Sequence, residues 1–147
     1  FGDGKKHGLL LRDYEALFLI YTTKLAVLRD EKILTFNDIL EIALSRDNSA
    51  WTKFLIYRDL RTRGYVAKEG FGFGADFRVY AKGEYGSKAA KYVIFAMNEG
   101  TEINVSSLME SVQQISRMGK TPIIAVVERR GEVIYYHLSK SRFRDLL

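Results

Sequence analysis

The residues able to do chemistry are few. There is no cysteine, which excludes a disulfide framework, a thiolate metal site and a cysteine nucleophile. The two histidines, His7 and His137, are too few for a histidine-rich metal site, and none is expected. Two other residues stand at positions where sites gather. Tyr80 ends a short alternating run (Asp76-Phe77-Arg78-Val79-Tyr80), and Lys120 precedes an apolar one. A tyrosine and a lysine can cleave RNA without a metal. The base takes the 2′-OH proton, the 2′-oxygen attacks phosphorus, and the ammonium balances charge on the phosphorane. A third group must protonate the leaving 5′-oxygen, usually a histidine, and neither His7 nor His137 is well placed for it. Taken alone, Tyr80 and Lys120 read equally as one more aromatic and one more surface lysine.

Two further constellations yield to bland readings. Gly70, Gly72 and Gly74 lie between two strand-like runs, with no Gly-Lys-Ser/Thr after them. A phosphate cradle needs a helix there, so they read as a hairpin turn or bulge. Asp76 lacks the acid-x-lysine element of a metal-dependent nuclease and reads as a structural aspartate beside that turn.

The elements that must position these residues follow from periodicity. Leu11, Tyr14, Phe18, Tyr21 and Leu25 recur at helical spacing, with Asp13 and Glu15 in the first turn. Thr35 and Asp38 form a capping box for a second helix with Phe36, Ile39, Leu40 and Ala43 on its apolar face. A third helix runs from about Ala50, with Trp51, Phe54, Leu55 and Leu60 inward and Gly64 as its C′ residue. Residues 1–8 read as a loose lead-in. This half, residues 1–64, is a small three-helix domain, winged-helix-like in its order of elements.

After Gly64 the period drops to about two. Strands are expected over 65–68, 76–80, 91–97, 121–128 and 132–138. A helix over 104–117 has Leu108, Val112 and Ile115 inward and a capping box at Ser107 and Glu110. Pro122 opens its strand, where a missing N–H costs least. Residues 65–147 thus form a mixed-sheet α/β domain, a βαβ unit with a hairpin on each side. The whole chain is α/β in class, α+β in its overall layout, with no flexible linker at the boundary.

The 147 residues carry 23 Lys plus Arg and 18 Asp plus Glu, a net charge of +5 shared about equally between residues 1–64 and 65–147. That excess suits a phosphate-rich partner and equally a plain soluble surface. No apolar run is long enough to span a bilayer and no signal-peptide pattern opens the sequence, so a cytoplasmic protein is expected. Starting on Phe1 rather than Met, it reads as a piece of a longer chain.

Tyr57-Arg58-Asp59-Leu60-Arg61-Thr62-Arg63-Gly64-Tyr65-Val66, followed by Gly70-Phe71-Gly72-Phe73-Gly74-Ala75-Asp76-Phe77-Arg78-Val79-Tyr80, resembles the signature of archaeal tRNA-splicing endonucleases. The apolar strands and Tyr135-Tyr136 continue it over roughly residues 9–140. The resemblance implies a nuclease-like C-terminal domain and metal-free cleavage of bulge-helix-bulge RNA, leaving a 2′,3′-cyclic phosphate and a 5′-hydroxyl. No cofactor is implied.

It also implies a Tyr-His-Lys trio. Tyr80 and Lys120 match two members, and the histidine slot, two residues before Lys91-Tyr92, holds Ala89. The stretch Ser116-Arg117-Met118-Gly119-Lys120 departs from the family's Ser-x-Arg-Lys. These departures point to a structural subunit within an α2β2 heterotetramer, alongside a catalytic endonuclease subunit and precursor tRNA. Arg117 and Lys88 are the expected RNA contacts. Glu128 and Glu132, in the loop matching the family's acidic loop, and Val133 and Tyr135, on the last strand, are the expected interface. Two other readings stay open: a catalytic subunit whose histidine has been replaced at Ala89, and a stand-alone nucleic-acid-binding module.

Overall fold

A computed structural model describes residues 3–5 and 8–139. The chain forms two compact units, residues 1–58 and 59–147, with the division falling inside one helix. The expected helices and strands of the C-terminal half are all present, and the chain is mixed α/β.

In the first unit, β1 (Asp3–Lys5) and β2 (Gly8–Leu10) pair antiparallel, where the sequence suggests a loose lead-in. Helix α1 (Asp13–Tyr21) opens with the Arg12 N–H donating to Glu15 Oε1 at 2.8 Å. It stops one turn before Leu25 because Thr22 closes it, its hydroxyl donating to the Phe18 carbonyl at 2.9 Å. A hairpin that the periodicity does not reveal follows, with β3 (Val27–Arg29) against β4 (Lys32–Leu34). Asp30 and Glu31 make its turn, both at positive φ (52° and 63°), without the glycine or asparagine that usually marks such a turn.

Helix α2 (Phe36–Arg46) begins with the expected box. The Asp38 N–H donates to Thr35 Oγ1 at 3.2 Å, and the Thr35 N–H donates to Asp38 Oδ2 at 2.8 Å. The core of this unit is aromatic. Tyr57 stands 4.7 Å from Tyr14 and 5.5 Å from Phe18, ring centre to ring centre. Trp51, expected inward, is 41% exposed and covers Phe36 and Phe54 from outside.

Helix α3 (Ala50–Thr62) runs through the division. It ends at Gly64, whose φ of +92° only glycine adopts cheaply. The Tyr65 N–H reaches the Leu60 carbonyl and the Gly64 N–H the Arg61 carbonyl, both at 3.0 Å, so the last carbonyls are satisfied.

The second unit is one five-stranded sheet in sequence order: β5 (Val66–Glu69), β6 (Phe77–Tyr80), β7 (Tyr92–Asn98), β8 (Thr121–Val127) and β9 (Val133–His137). Every neighbour is antiparallel except β7 and β8, which run parallel over seven rungs, Tyr92 opposite Thr121 to Asn98 opposite Val127. A parallel pair needs a crossover, and α4 (Val105–Arg117) supplies it. Its cap is Asn104, whose Oδ1 accepts the Ser107 N–H at 3.0 Å. The Ser107–Glu110 box expected from sequence is therefore displaced by a better cap three residues earlier. Val93, Phe95 and Ile124 pack with Ile115 into the core on the α4 face.

Asp47 lies between α2 and α3 and gives a pH prediction. Its carboxylate accepts from Lys53 Nζ at 2.7 Å, from Ser49 Oγ at 2.6 Å and from the Ser49 N–H at 2.9 Å. The Lys53 ammonium first, then Ser49, lowers its pKa from 3.8 to about 2. A carboxyl depressed on folding contributes stability in full above its unfolded value and loses it as pH falls through the folded one. Denaturant midpoints measured from pH 5 to pH 2 should therefore fall less steeply for Asp47→Asn than for the parent, and parallel curves would contradict this.

Candidate functional site

Strand order places the two chemistry-bearing residues together at one end of the sheet. Tyr80 is the last residue of β6, Lys91 immediately precedes β7 and Lys120 immediately precedes β8. Val79 opposes Tyr92, and Tyr92 opposes Thr121, so these positions stand side by side on three adjacent strands. Two backbone bonds fix the arrangement: Lys91 N–H to the Val79 carbonyl and Thr121 N–H to the Lys91 carbonyl, each 2.9 Å. Strand alternation puts Tyr80 and Lys120 on the same face, the one that α4 covers. This is the amino-terminal end of the parallel pair, opposite to the end where open α/β sheets usually bind ligands.

Each side chain is held. Arg78 Nε donates to the Tyr80 hydroxyl at 3.3 Å, while its Nη1 donates to the Glu69 carbonyl at 2.6 Å. Lys120 Nζ donates to the Ala90 carbonyl at 2.5 Å. The loop between β6 and β7 folds back through Lys88 N–H to the Glu84 carbonyl at 2.9 Å. It leaves Ala89 exposed and Ala90 buried. Lys88 is exposed and pairs with Glu84 at 3.2 Å, and Arg117 is exposed in the last turn of α4.

His137 is at the same end of the sheet, but it opposes Ile123, and alternation turns it to the other face from Lys120. His7 lies outside the described residues. Among the described residues no group of three His, Cys, Asp or Glu could hold a metal ion. Asp76 accepts the Ala96 N–H at 2.7 Å and its own N–H meets the Ile94 carbonyl at 2.9 Å, which extends the β6–β7 ladder around the bend. The glycine loop joins β5 to β6, with Gly70, Gly72, Phe73 and Gly74 at positive φ.

The opposite face carries a cavity of about 220 Å³, lined chiefly by Leu60, Tyr65, Tyr92, Ile94 and Tyr135. The Tyr135 hydroxyl donates to Asp59 Oδ2 at 2.6 Å, and Arg63 Nε reaches the same oxygen at 2.8 Å. Burial first, and then the Asp59 bond, raises the Tyr135 hydroxyl above its ordinary pKa. Ile134 and Tyr136, on the other face of edge strand β9, are 42% and 52% exposed. The β8–β9 turn is closed by Glu128 N–H to the Glu132 carbonyl at 2.9 Å.

Residues 50–135 match the family model described as the tRNA intron endonuclease, catalytic C-terminal domain. The chain belongs to the tRNA intron endonuclease family. The match covers α3 and the sheet as far as Tyr135, so it includes Tyr80, Ala89 and Lys120. The tRNA-splicing endonuclease of Pyrococcus furiosus is 29% identical over 143 residues, 97% of this chain and 82% of that protein. That of Methanococcus vannielii is 31% identical over 140 residues, 94% of this chain and 78% of that protein. A third, from Methanococcoides burtonii, is 30% identical over 98% of this chain but only 40% of its own length.

Sequence reasoning missed part of this corner of the sheet. Lys68, Arg78 and Tyr85 gather around Tyr80. The two-residue step from Arg78 to Tyr80 could have signalled the first contact, but Tyr85 arrives through a loop that has no periodicity.

The role of Asp76 can be tested by stability. Asp76→Ala removes the acceptor of the Ala96 N–H and should cost about 1–3 kcal/mol in urea unfolding. An unchanged midpoint, or a parent stability that rises with magnesium, would contradict a purely structural aspartate.

Proposed function

We propose that this chain is the structural, non-catalytic subunit of a tRNA-splicing endonuclease complex that excises introns from precursor tRNA at bulge-helix-bulge folds. The observation that carries this reading is Ala89. A methyl group occupies the slot where the resemblance implies the histidine acid, and it cannot protonate a leaving 5′-oxygen. His137 is turned to the other face from Lys120, which donates to the Ala90 carbonyl. Tyr80 and Lys120 are then remnants of a trio.

An inert subunit needs partners. The proposed assembly is an α2β2 heterotetramer with a catalytic endonuclease subunit. Edge strand β9, with Val133 and Tyr135 on one face and exposed Ile134 and Tyr136 on the other, can extend its ladder into a partner strand. Glu128 and Glu132 offer carboxylates at the adjoining turn, diluted by Arg129 and Arg130. Arg117 and Lys88 supply exposed cations beside the silent end of the sheet, where they would meet RNA phosphates. The proposed domain roles follow: residues 1–64 as the helical domain and residues 65–147 as the endonuclease-like one.

The competing reading, a catalytic subunit whose histidine was replaced, draws on the exposure of Ala89, which leaves room for an imidazole.

The purified chain should leave a bulge-helix-bulge RNA intact and should restore cleavage when mixed with a catalytic subunit that is inactive alone. Cleavage by the unaided chain, or a mixture as inactive as its parts, would overturn the proposal.

A further inference from the structure

The loop between β6 and β7 builds a second feature around Tyr80. Lys68 pairs with Arg78 across β5 and β6, so Lys68, Arg78 and Tyr80 share one face of the sheet. Tyr85 folds onto this group. Its ring centre is 4.9 Å from that of Tyr80, with the planes at 80°, and Lys68 Nζ is 5.5 Å from its centroid. These contacts fix the attitude of the Tyr85 ring, yet the residue stays 51% exposed. A ring held rigid and left open has lost its rotamer freedom without gaining full burial, which is the preorganisation of a binding surface.

The surroundings say what would bind. Lys68 stands beside Tyr85 in the fold, and Lys82, Lys88 and Lys91 belong to the loop that carries Tyr85, Lys88 pairing with Glu84. A half-exposed ring with an ammonium group beside it, in a loop that carries further lysines, suits a planar base joined to a phosphate. Duplex RNA hides its base faces inside the stack, whereas an unpaired nucleotide offers one.

We propose that Tyr85 is a stacking platform for one unpaired RNA nucleotide, with Lys68 receiving a flanking phosphate. This rests on the reading above that RNA is the ligand. The silent end of the sheet then holds a bulge nucleotide in place without cleaving it. The contact is to the base face, so it should tolerate any base.

The test uses the chain with two RNA probes, one carrying 5-iodouridine in a short bulge and one carrying it within an unbroken duplex. Irradiation should join the bulged probe to Tyr85, located by mass spectrometry of the digested protein. Tyr85→Ala should weaken binding of the bulged probe about tenfold and leave duplex binding unchanged. Tyr85→Phe should bind like the parent, because stacking needs the ring and not the hydroxyl. Equal urea midpoints for the three proteins exclude a folding effect. Unchanged bulge affinity in Tyr85→Ala, or cross-links only elsewhere, overturns the platform. If the parent chain still restores a catalytic partner, the subunit reading survives that result. Cross-linking at Tyr85 without such restoration supports the platform and sinks the subunit reading, and a chain that binds neither probe sinks the platform outright.

Discussion

Seven rungs of parallel pairing between β7 and β8 are the constraint on which the second unit depends. The pairing is between two nearly continuous apolar runs, so both faces must be covered. α4 covers one face through Val112 and Ile115. The register also decides the chemistry. It sets Lys120 beside Lys91, and the antiparallel partner β6 sets Tyr80 on the other side of Lys91. A slip of one residue in β8 would send Lys120 to the opposite face, away from Tyr80.

The same alternation governs which side chains meet at this end of the sheet. His137 is at the correct end but on the wrong face, so it cannot replace the imidazole that Ala89 lacks. Lys120 is drawn to the Ala90 carbonyl and Tyr80 to Arg78. What remains is a cationic, aromatic corner. The net charge of +5 is ambiguous as composition; a corner in which tyrosine rings are interleaved with lysines gives it a direction.

Much of this fold was legible because its signals are local. The box at Thr35 and Asp38 and the stop at Gly64 each rest on a side chain or φ angle that one residue type supplies. The two apolar runs joined by an amphipathic helix announced the βαβ unit. The hairpin of β3 and β4 was not legible, since Asp30 and Glu31 take left-handed conformations with no glycine to betray them. Trp51 misled through periodicity alone, which marks a helical face but not how deeply it is covered. At the site, Tyr80, Ala89 and Lys120 were readable from motif and spacing. Tyr85 was not, because an exposed loop aromatic gains its meaning only from the ring and the ammonium it meets in space.

The proposed structural role rests on two departures from the family pattern, Ala89 and the stretch Ser116-Arg117-Met118-Gly119-Lys120. Replacing Ala89 by histidine tests it most directly. Single-turnover assays of the Ala89→His chain on a bulge-helix-bulge RNA, read by the appearance of a 2′,3′-cyclic phosphate end, should show no cleavage above the parent. Restored cleavage would contradict the account and identify the chain as a catalytic subunit missing only its acid.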